Sequence, residues 1–196
     1  MCFLRKAHFL FGGILMTKKL TTTGVLLALG LILSLIKLFD APYGGSVTLA
    51  SMLPIILIAM LYGTRWGILS GIVFAVLTML LTGIPAPPVK TIGSYLLVIV
   101  LDYILAFGAL GLAGGIYRKM KGTAALPVSC AVVILIRFVC HFFSGILIWH
   151  VYAWEGVGAA MYSLLYNGSY MLFEFLITVS LSAFLTPLLN RLKREQ

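Results

Sequence analysis

Long apolar runs are the feature that most limits how this chain can fold. A helix needs about 20 apolar residues to cross the hydrocarbon core of a bilayer, and runs near that length fill most of the sequence. They lack the polar–apolar alternation of strands in a membrane β-barrel. The composition, 62% hydrophobic and 10% charged, also indicates a membrane protein. We therefore predict an all-α integral membrane protein with six transmembrane helices in one compact bundle, at residues 20–38, 47–63, 66–83, 92–117, 124–149 and 158–189.

The basic residues lie mostly on one side of this predicted bundle. Eleven of the 14 precede the first helix, follow the last, or occupy the turns between helices 2 and 3 and between helices 4 and 5. Basic residues concentrate on the cytoplasmic side of membrane proteins, so both termini are predicted to be cytoplasmic. The net charge of +9 thus orients the bundle in the bilayer and does not indicate a nucleic-acid partner.

The first residues stand apart from the predicted bundle. The segment MCFLRKAHFLFGGILM has basic residues and a short apolar run, as a signal peptide does. However, no small-residue cleavage site precedes Lys18, and Met16-Thr17-Lys18-Lys19 has the form of a natural start. We therefore interpret residues 1–17 as an N-terminal extension or a mis-assigned start, and residues 18–196 as the membrane domain.

A polar stripe crosses the fifth predicted helix. Arg137, His141, Gly145 and Trp149 recur every four residues, so on a helix they share one face. Charged residues are costly in lipid and usually face the interior of the bundle. The stripe therefore indicates either a binding site or a structural ion pair. Aromatic residues follow it up to Asn167-Gly168, and this combination suits a flat, heteroaromatic, cationic ligand.

Two acidic residues also lie inside predicted membrane helices. Counted at 1.5 Å per residue from the outer helix ends, Asp102 is ~15 Å deep, Arg137 ~18 Å and Glu174 ~24 Å. Asp102 and Arg137 are thus level, and we predict that they form an ion pair. This pair is either purely structural, or it holds Asp102 ionised for an amino-bearing or cationic ligand. Glu174 is interpreted as a second partner for Arg137.

The sequence has no motif for ATP hydrolysis and no recognisable catalytic or metal motif. It lacks GxxxxGK[ST], GxSxG, HExxH and any paired set of cysteines. We therefore predict no enzyme activity, no cofactor and no metal site. A small intramembrane enzyme that uses Asp102 and His141 is kept as an alternative from a different class.

The tract HFFSGILIWHVYAWEGVGAAMYSLLYNG, at residues 141–168, resembles the signature region of a known family. This family comprises the thiamine-specific substrate-binding subunits of energy-coupling factor (ECF) vitamin transporters. The resemblance extends over residues 18–190 and implies a six-helix bundle in the bacterial cell membrane. It also implies a thiamine site near the outer face, capped by the loop between helices 1 and 2. The expected partners are a transmembrane coupling subunit and two ATPase subunits.

The resemblance further implies which residues bind the vitamin. The tryptophan at position 149 is expected to stack on its pyrimidine ring, and the helix-6 tyrosine and asparagine are expected to hydrogen-bond the polar edge. Arg137 stands where the family has a lysine that pairs with a helix-4 acid. The full set of expected ligand-binding residues is Asp102, Tyr103, His141, Gly145, Trp149, Tyr162 and Asn167.

The chain departs from the family pattern at two of these places. Asp102 replaces a glutamate, so its carboxylate reaches about one methylene less far. Gly45 stands where the family loop can carry a tryptophan, and Tyr43 is the expected substitute in the lid. These departures leave a thiamine precursor, an analogue or another vitamin as alternative ligands. On helix 1, Gly24 and Ala28 form a small-xxx-small pair, which the resemblance assigns to docking of the coupling subunit.

Overall fold

Helices dominate the computed structural model, which describes the backbone of residues 2–194 and the side chains of residues 16–42 and 44–189. Two short strands form a hairpin after the first helix. We number the helices α1 to α6 and the strands β1 and β2. The bounds are α1 Cys2–Leu35, β1 Lys37–Asp40, β2 Ser46–Thr48, α2 Leu53–Tyr62, α3 Thr64–Thr82, α4 Ile92–Lys119, α5 Ala125–Leu147 and α6 Ala159–Arg194.

Within the described residues, five helices are long and apolar enough to cross a membrane. They are α1 from Met16 onward, α3, α4, α5 and α6 up to Leu189. The backbone of α1 is helical from Cys2, so no break separates the predicted extension from the first span. The side chains of residues 1–15 lie outside the description. The prediction for residues 1–17 therefore stays a prediction.

The second predicted span, residues 47–63, is helical over only part of its length. Helix α2 has ten residues, about 15 Å at 1.5 Å per residue, half of the roughly 30 Å hydrocarbon core. Residues 46–48 are instead strand β2, paired antiparallel with β1. The reason is visible in the packing, because α2 is apolar on every side and lies in the core. Ile55, Ile56 and Ile58 are fully buried, so α2 faces protein rather than lipid.

Helix α4 is irregular in its middle. Ile99–Leu105 adopts the wider π-helical geometry between the α-helical segments Ile92–Val98 and Ala106–Leu110. Such wide turns are rare, and they occur frequently at functional sites because the extra residue changes the direction of a side chain. Asp102 lies in this segment.

Helix α5 ends earlier than the sequence pattern predicts. It stops at Leu147, and Trp149–Tyr152 forms a separate 3-10 turn. Arg137, His141 and Gly145 of the predicted stripe therefore lie on α5, whereas Trp149 lies beyond the end of the helix. At Ile148 the backbone leaves helical geometry, with φ −120° and ψ −51°.

Candidate ligand-binding site

A cavity of about 340 Å³ opens between the β-hairpin and helices α4, α5 and α6. Its volume lies within the range of small-molecule sites. Five predicted residues line it, and they come from three helices and the turn after α5: Asp102, Tyr103, His141, Trp149 and Asn167. Arg137 lines it too. The structure thus brings together most of the side chains that the sequence selected.

Asp102 is the most heavily hydrogen-bonded acid of the cavity. Its Oδ1 lies 2.9 Å from Nδ1 of His141, and its Oδ2 accepts a 2.7 Å bond from the hydroxyl of Ser144. The indole N–H of Trp149 donates a longer bond of 3.4 Å to the same Oδ2. These donors fix the orientation of the carboxylate and satisfy it in a largely buried position. A carboxylate held in this way is a preformed partner for a cation.

The predicted ion pair between Asp102 and Arg137 is wrong. Among the described residues, the contacts within 4 Å between a carboxylate and a basic side chain are Lys37–Asp40 and Asp102–His141, and neither includes Arg137. Arg137 instead places its Cζ 4.0 Å from the centroid of the Phe107 ring, a cation–π contact. The π-helical turn of α4 presents Asp102 to His141 and Ser144, and these groups occupy both carboxylate oxygens.

Trp149 forms part of the cavity wall although it lies beyond α5. Its indole is only 9% exposed and packs near-parallel to Tyr152, at 6.4 Å between ring centroids and 24° between planes. The 3-10 turn thus keeps the side chain over the cavity. A buried indole face at this place is suited to stack on an aromatic ligand.

Asn167 links α5 and α6 at the back of the cavity. Its Nδ2 donates to the carbonyl oxygens of His141 and Ser163, and its Oδ1 accepts a 2.7 Å bond from the hydroxyl of Tyr170. The amide hydrogens are therefore used inside the protein. One acceptor position of Oδ1 is left for a ligand, since a carbonyl oxygen can accept twice.

Gly145 and Tyr162 lie behind the cavity wall rather than on it. A Cβ at Gly145 would approach Ser163 Cβ to 2.7 Å and Asn167 Nδ2 to 2.9 Å, so this glycine lets α5 and α6 approach closely. Tyr162 is 2% exposed and packs parallel to Tyr166, with ring centroids 5.7 Å apart. Their predicted contact with the ligand is not visible in the cavity lining. Both instead position the residues that form it.

The β-hairpin covers the cavity and is tied to α6. The N–H of Gly45 donates to the hydroxyl of Tyr166 at 3.1 Å, and this hydroxyl donates to the carbonyl of Pro42. A Cβ at Gly45 would lie 2.7 Å from the ring of Tyr170. The aromatic residues of α6 thus occupy the space that a larger side chain at position 45 would need. The side chain of Tyr43 lies outside the description, so its role in the lid stays a prediction.

The structure also places residues in the site that the sequence did not select. Glu174 was interpreted as a partner of Arg137, yet its Oε1 accepts from the N–H and the hydroxyl of Thr48, at 2.5 and 2.6 Å. It therefore anchors strand β2 to α6. The hydroxyl of Tyr103 lies 3.5 Å from the carbonyl oxygen of Gly83. The loop after α3, which sequence reasoning left out of the site, thus forms part of the wall.

The small residues of α1 lie on a different surface. Gly24 and Ala28 are exposed, and no atom of the described residues lies within 4 Å of a Cβ built at Gly24. Gly30, by contrast, faces the core, where a Cβ would lie 3.0 Å from Phe74. The predicted docking pair is thus free to meet another helix. Across the residues that are described, no cluster of three or more metal-ligating side chains occurs.

The chain is similar to known proteins in sequence and in fold. A family model described as thiamine transporter protein (Thia_YuaJ) matches residues 20–194. Thiamine transporter ThiT of Bacillus subtilis (strain 168) is 32% identical, over 81% of this chain and 85% of that protein. The ThiT of Lacticaseibacillus paracasei is 29% identical, over 65% of this chain and 67% of that protein.

A solved structure of ThiT from Listeria monocytogenes has the same fold. Its TM-score is 0.70 at 22% identity, and the alignment covers 90% of this chain and 97% of that one. The family match extends over most of the chain, and the long apolar helices fit a protein that crosses the membrane several times. This chain therefore belongs to the thiamine transporter protein family of multi-pass membrane proteins.

Proposed function

We propose that this protein binds thiamine at the outer face of a bacterial membrane and is the substrate-specificity subunit of an ECF-type transporter. The observation that carries the proposal is the Asp102 carboxylate, held by His141 and Ser144 inside a cavity that Trp149 also lines. Membership of the thiamine transporter family supports the identity of the ligand.

The chemistry of thiamine matches these groups. Its thiazolium ring is a permanent cation, and its aminopyrimidine ring is flat and carries an amino group. Asp102 supplies the countercharge, and the Trp149 indole supplies a face for stacking. The remaining acceptor position of Asn167 Oδ1 suits the amino group. Each part of the ligand thus has a partner of complementary character.

The transport role needs further subunits, because the sequence has no phosphate-binding loop. We infer that a transmembrane coupling subunit docks on the exposed Gly24 and Ala28 face of α1 and that two ATPase subunits supply the energy. The six-helix topology, with both termini in the cytoplasm, is part of the same proposal. In this topology, β2 and α2 together take the place of the second span. Non-helical backbone is tolerated at membrane depth where it is buried in protein.

Among the alternatives, a thiamine precursor or analogue is kept, because it shares with thiamine the ring chemistry that Asp102 and Trp149 would bind. The intramembrane enzyme is not proposed, since the family consists of transporters. Thiamine is then the cargo of the protein and not a cofactor.

The proposal is tested by equilibrium binding to the purified protein in detergent. We expect one thiamine per chain, recovered chemically unaltered by mass spectrometry after long incubation. In cells without other thiamine uptake, transport should require both this chain and the coupling and ATPase subunits. No measurable thiamine binding would contradict the proposal, and turnover that depends on Asp102 or His141 would favour the enzyme.

A further inference from the structure

We propose that the inner end of the cavity is a hydroxyl-binding subsite, formed by Arg137 and Glu174, that takes the terminal alcohol of thiamine and disfavours its phosphate esters. The inference rests on the proposed function, because it assigns one end of the same ligand.

The starting observation is a set of buried polar atoms without partners. Nε and Nη1 of Arg137 and Oε2 of Glu174 have no hydrogen-bond partner within the part of the chain that is described. Glu174 is only 4% exposed, and both side chains line the cavity. Buried polar groups are normally hydrogen-bonded, and leaving them unpaired is unfavourable. A group that enters this end of the cavity can satisfy both side chains.

The two side chains do not satisfy each other. Both side chains line the same cavity. Yet Arg137 and Glu174 are not among the ion pairs within 4 Å in the described structure. The other oxygen of Glu174 is held by the N–H and hydroxyl of Thr48. The carboxylate is therefore fixed by Thr48, and its free oxygen and the guanidinium border the same cavity without forming an ion pair within 4 Å.

The chemistry of these atoms selects one class of ligand group. The guanidinium only donates hydrogen bonds, and the free oxygen of a carboxylate accepts them. A group that binds both must accept and donate at once, as a hydroxyl does. A phosphate accepts hydrogen bonds, but its negative charge is repelled by the acid Glu174. An ammonium donates hydrogen bonds, but its positive charge is repelled by Arg137. An uncharged hydroxyl avoids both repulsions.

The reach of thiamine fits this position. Arg137 lies one turn below His141 on α5, a rise of about 6 Å. A thiazolium ring level with Asp102 and His141 carries a two-carbon arm that ends in a hydroxyl. That arm, followed by a hydrogen bond of about 2.9 Å, covers the distance to the Arg137 level.

The experiment compares three ligands on the full-length protein by calorimetry: thiamine, an analogue with ethyl in place of the hydroxyethyl arm, and thiamine monophosphate. Wild-type protein should bind the ethyl analogue about tenfold to a hundredfold more weakly than thiamine, because the subsite is then left unpaired. Glu174→Gln keeps an oxygen for Thr48 and removes the charge. It should raise the affinity for the monophosphate, relative to thiamine, at least about tenfold.

Thr178→Val is the matched control. Thr178 is fully buried one turn below Glu174 on α6 and does not line the cavity, so the wild-type ratios should persist. If the ethyl analogue binds wild-type protein as tightly as thiamine does, the subsite is overturned and the proposed function stands. An unchanged ratio in a folded Glu174→Gln protein would also overturn it. Should that variant fail to fold, the wild-type comparison decides alone. Failure of wild-type protein to bind thiamine would overturn the proposed function together with the subsite.

Discussion

Nδ1 of His141 lies 2.9 Å from Oδ1 of Asp102, and this contact joins α5 to the π-helical turn of α4 inside the cavity. When Nδ1–H donates to the carboxylate, the neutral imidazole keeps Nε2 as an acceptor. Nε2 is buried and has no partner among the described residues. The pair therefore offers a ligand a countercharge and a separate acceptor, held in fixed orientation.

Removal of the Asp102 charge should weaken binding and leave the fold intact. Asp102→Asn has nearly the same shape and can still accept from Ser144, so we expect little change in melting temperature. Thiamine affinity should fall at least about tenfold, because the cation loses its countercharge. Calorimetry and thermal unfolding on the same sample measure both quantities. An unchanged affinity would remove Asp102 from the site.

Asp102 and Arg137 should be only weakly coupled in their effects on stability. They make no ion pair within 4 Å in the described structure, so the coupling between Asp102→Asn and Arg137→Met in the free energy of unfolding should stay well below the several kcal/mol of a direct buried pair. A direct buried pair predicts something different, because removal of both partners would restore several kcal/mol lost by removal of one. A double-mutant cycle in detergent, without ligand, distinguishes the two results.

Gly145 should matter for stability even in the absence of ligand. A Cβ at this position approaches Ser163 Cβ to 2.7 Å, so Gly145→Ala should destabilise the protein by about 1–3 kcal/mol. Gly108→Ala is the control, because its nearest atom would be Ile72 Cγ1 at 3.6 Å, an ordinary contact. If Gly145→Ala unfolds at the same temperature as wild-type protein, the close packing of α5 on α6 is not required.

The Tyr166 hydroxyl should slow the release of thiamine. It accepts from the N–H of Gly45 and donates to the carbonyl of Pro42. Tyr166→Phe removes these two hydrogen bonds and leaves those that Thr48 donates to Glu174, and the dissociation rate should rise about tenfold. Tyr95→Phe, on α4 and outside the cavity lining, is the control. Stopped-flow displacement measures the rates, and equal values for Tyr166→Phe and wild-type protein would exclude a role of the Tyr166 hydroxyl in holding the lid.

The sequence pattern predicted the parts of this structure that depend on local composition. Runs near 20 apolar residues located the long helices, and four-residue spacing placed Arg137 and His141 on one face of α5. The wide turn at Asp102 has no such signal, because residues 99–105 read as an ordinary apolar helix. The depth counted along regular helices predicted only that Asp102 and Arg137 lie at the same level in the membrane. The added residue in the turn is what directs the carboxylate to His141 and Ser144.

The short length of α2 and the contact of Glu174 with Thr48 were not predicted, for a related reason. An apolar run does not tell whether a helix faces lipid or protein, so α2 and the preceding strand read as one transmembrane helix. Glu174 was visible as an acid inside the membrane, which marks a functional position. Its partner Thr48 is 126 residues away, and no local pattern indicates that contact.

The most direct test of the account is thiamine binding to Trp149→Ala, measured by calorimetry beside wild-type protein and Trp154→Ala. Trp149 lines the cavity, whereas Trp154 is 55% exposed and does not. Stacking on an indole contributes about 0.5–2 kcal/mol, and the lost packing adds to it. We predict one-to-one binding by wild-type protein, affinity at least about tenfold weaker in Trp149→Ala, and unchanged affinity in Trp154→Ala. A folded Trp149→Ala protein that binds thiamine as tightly as wild type would contradict the assignment of this cavity as the thiamine site.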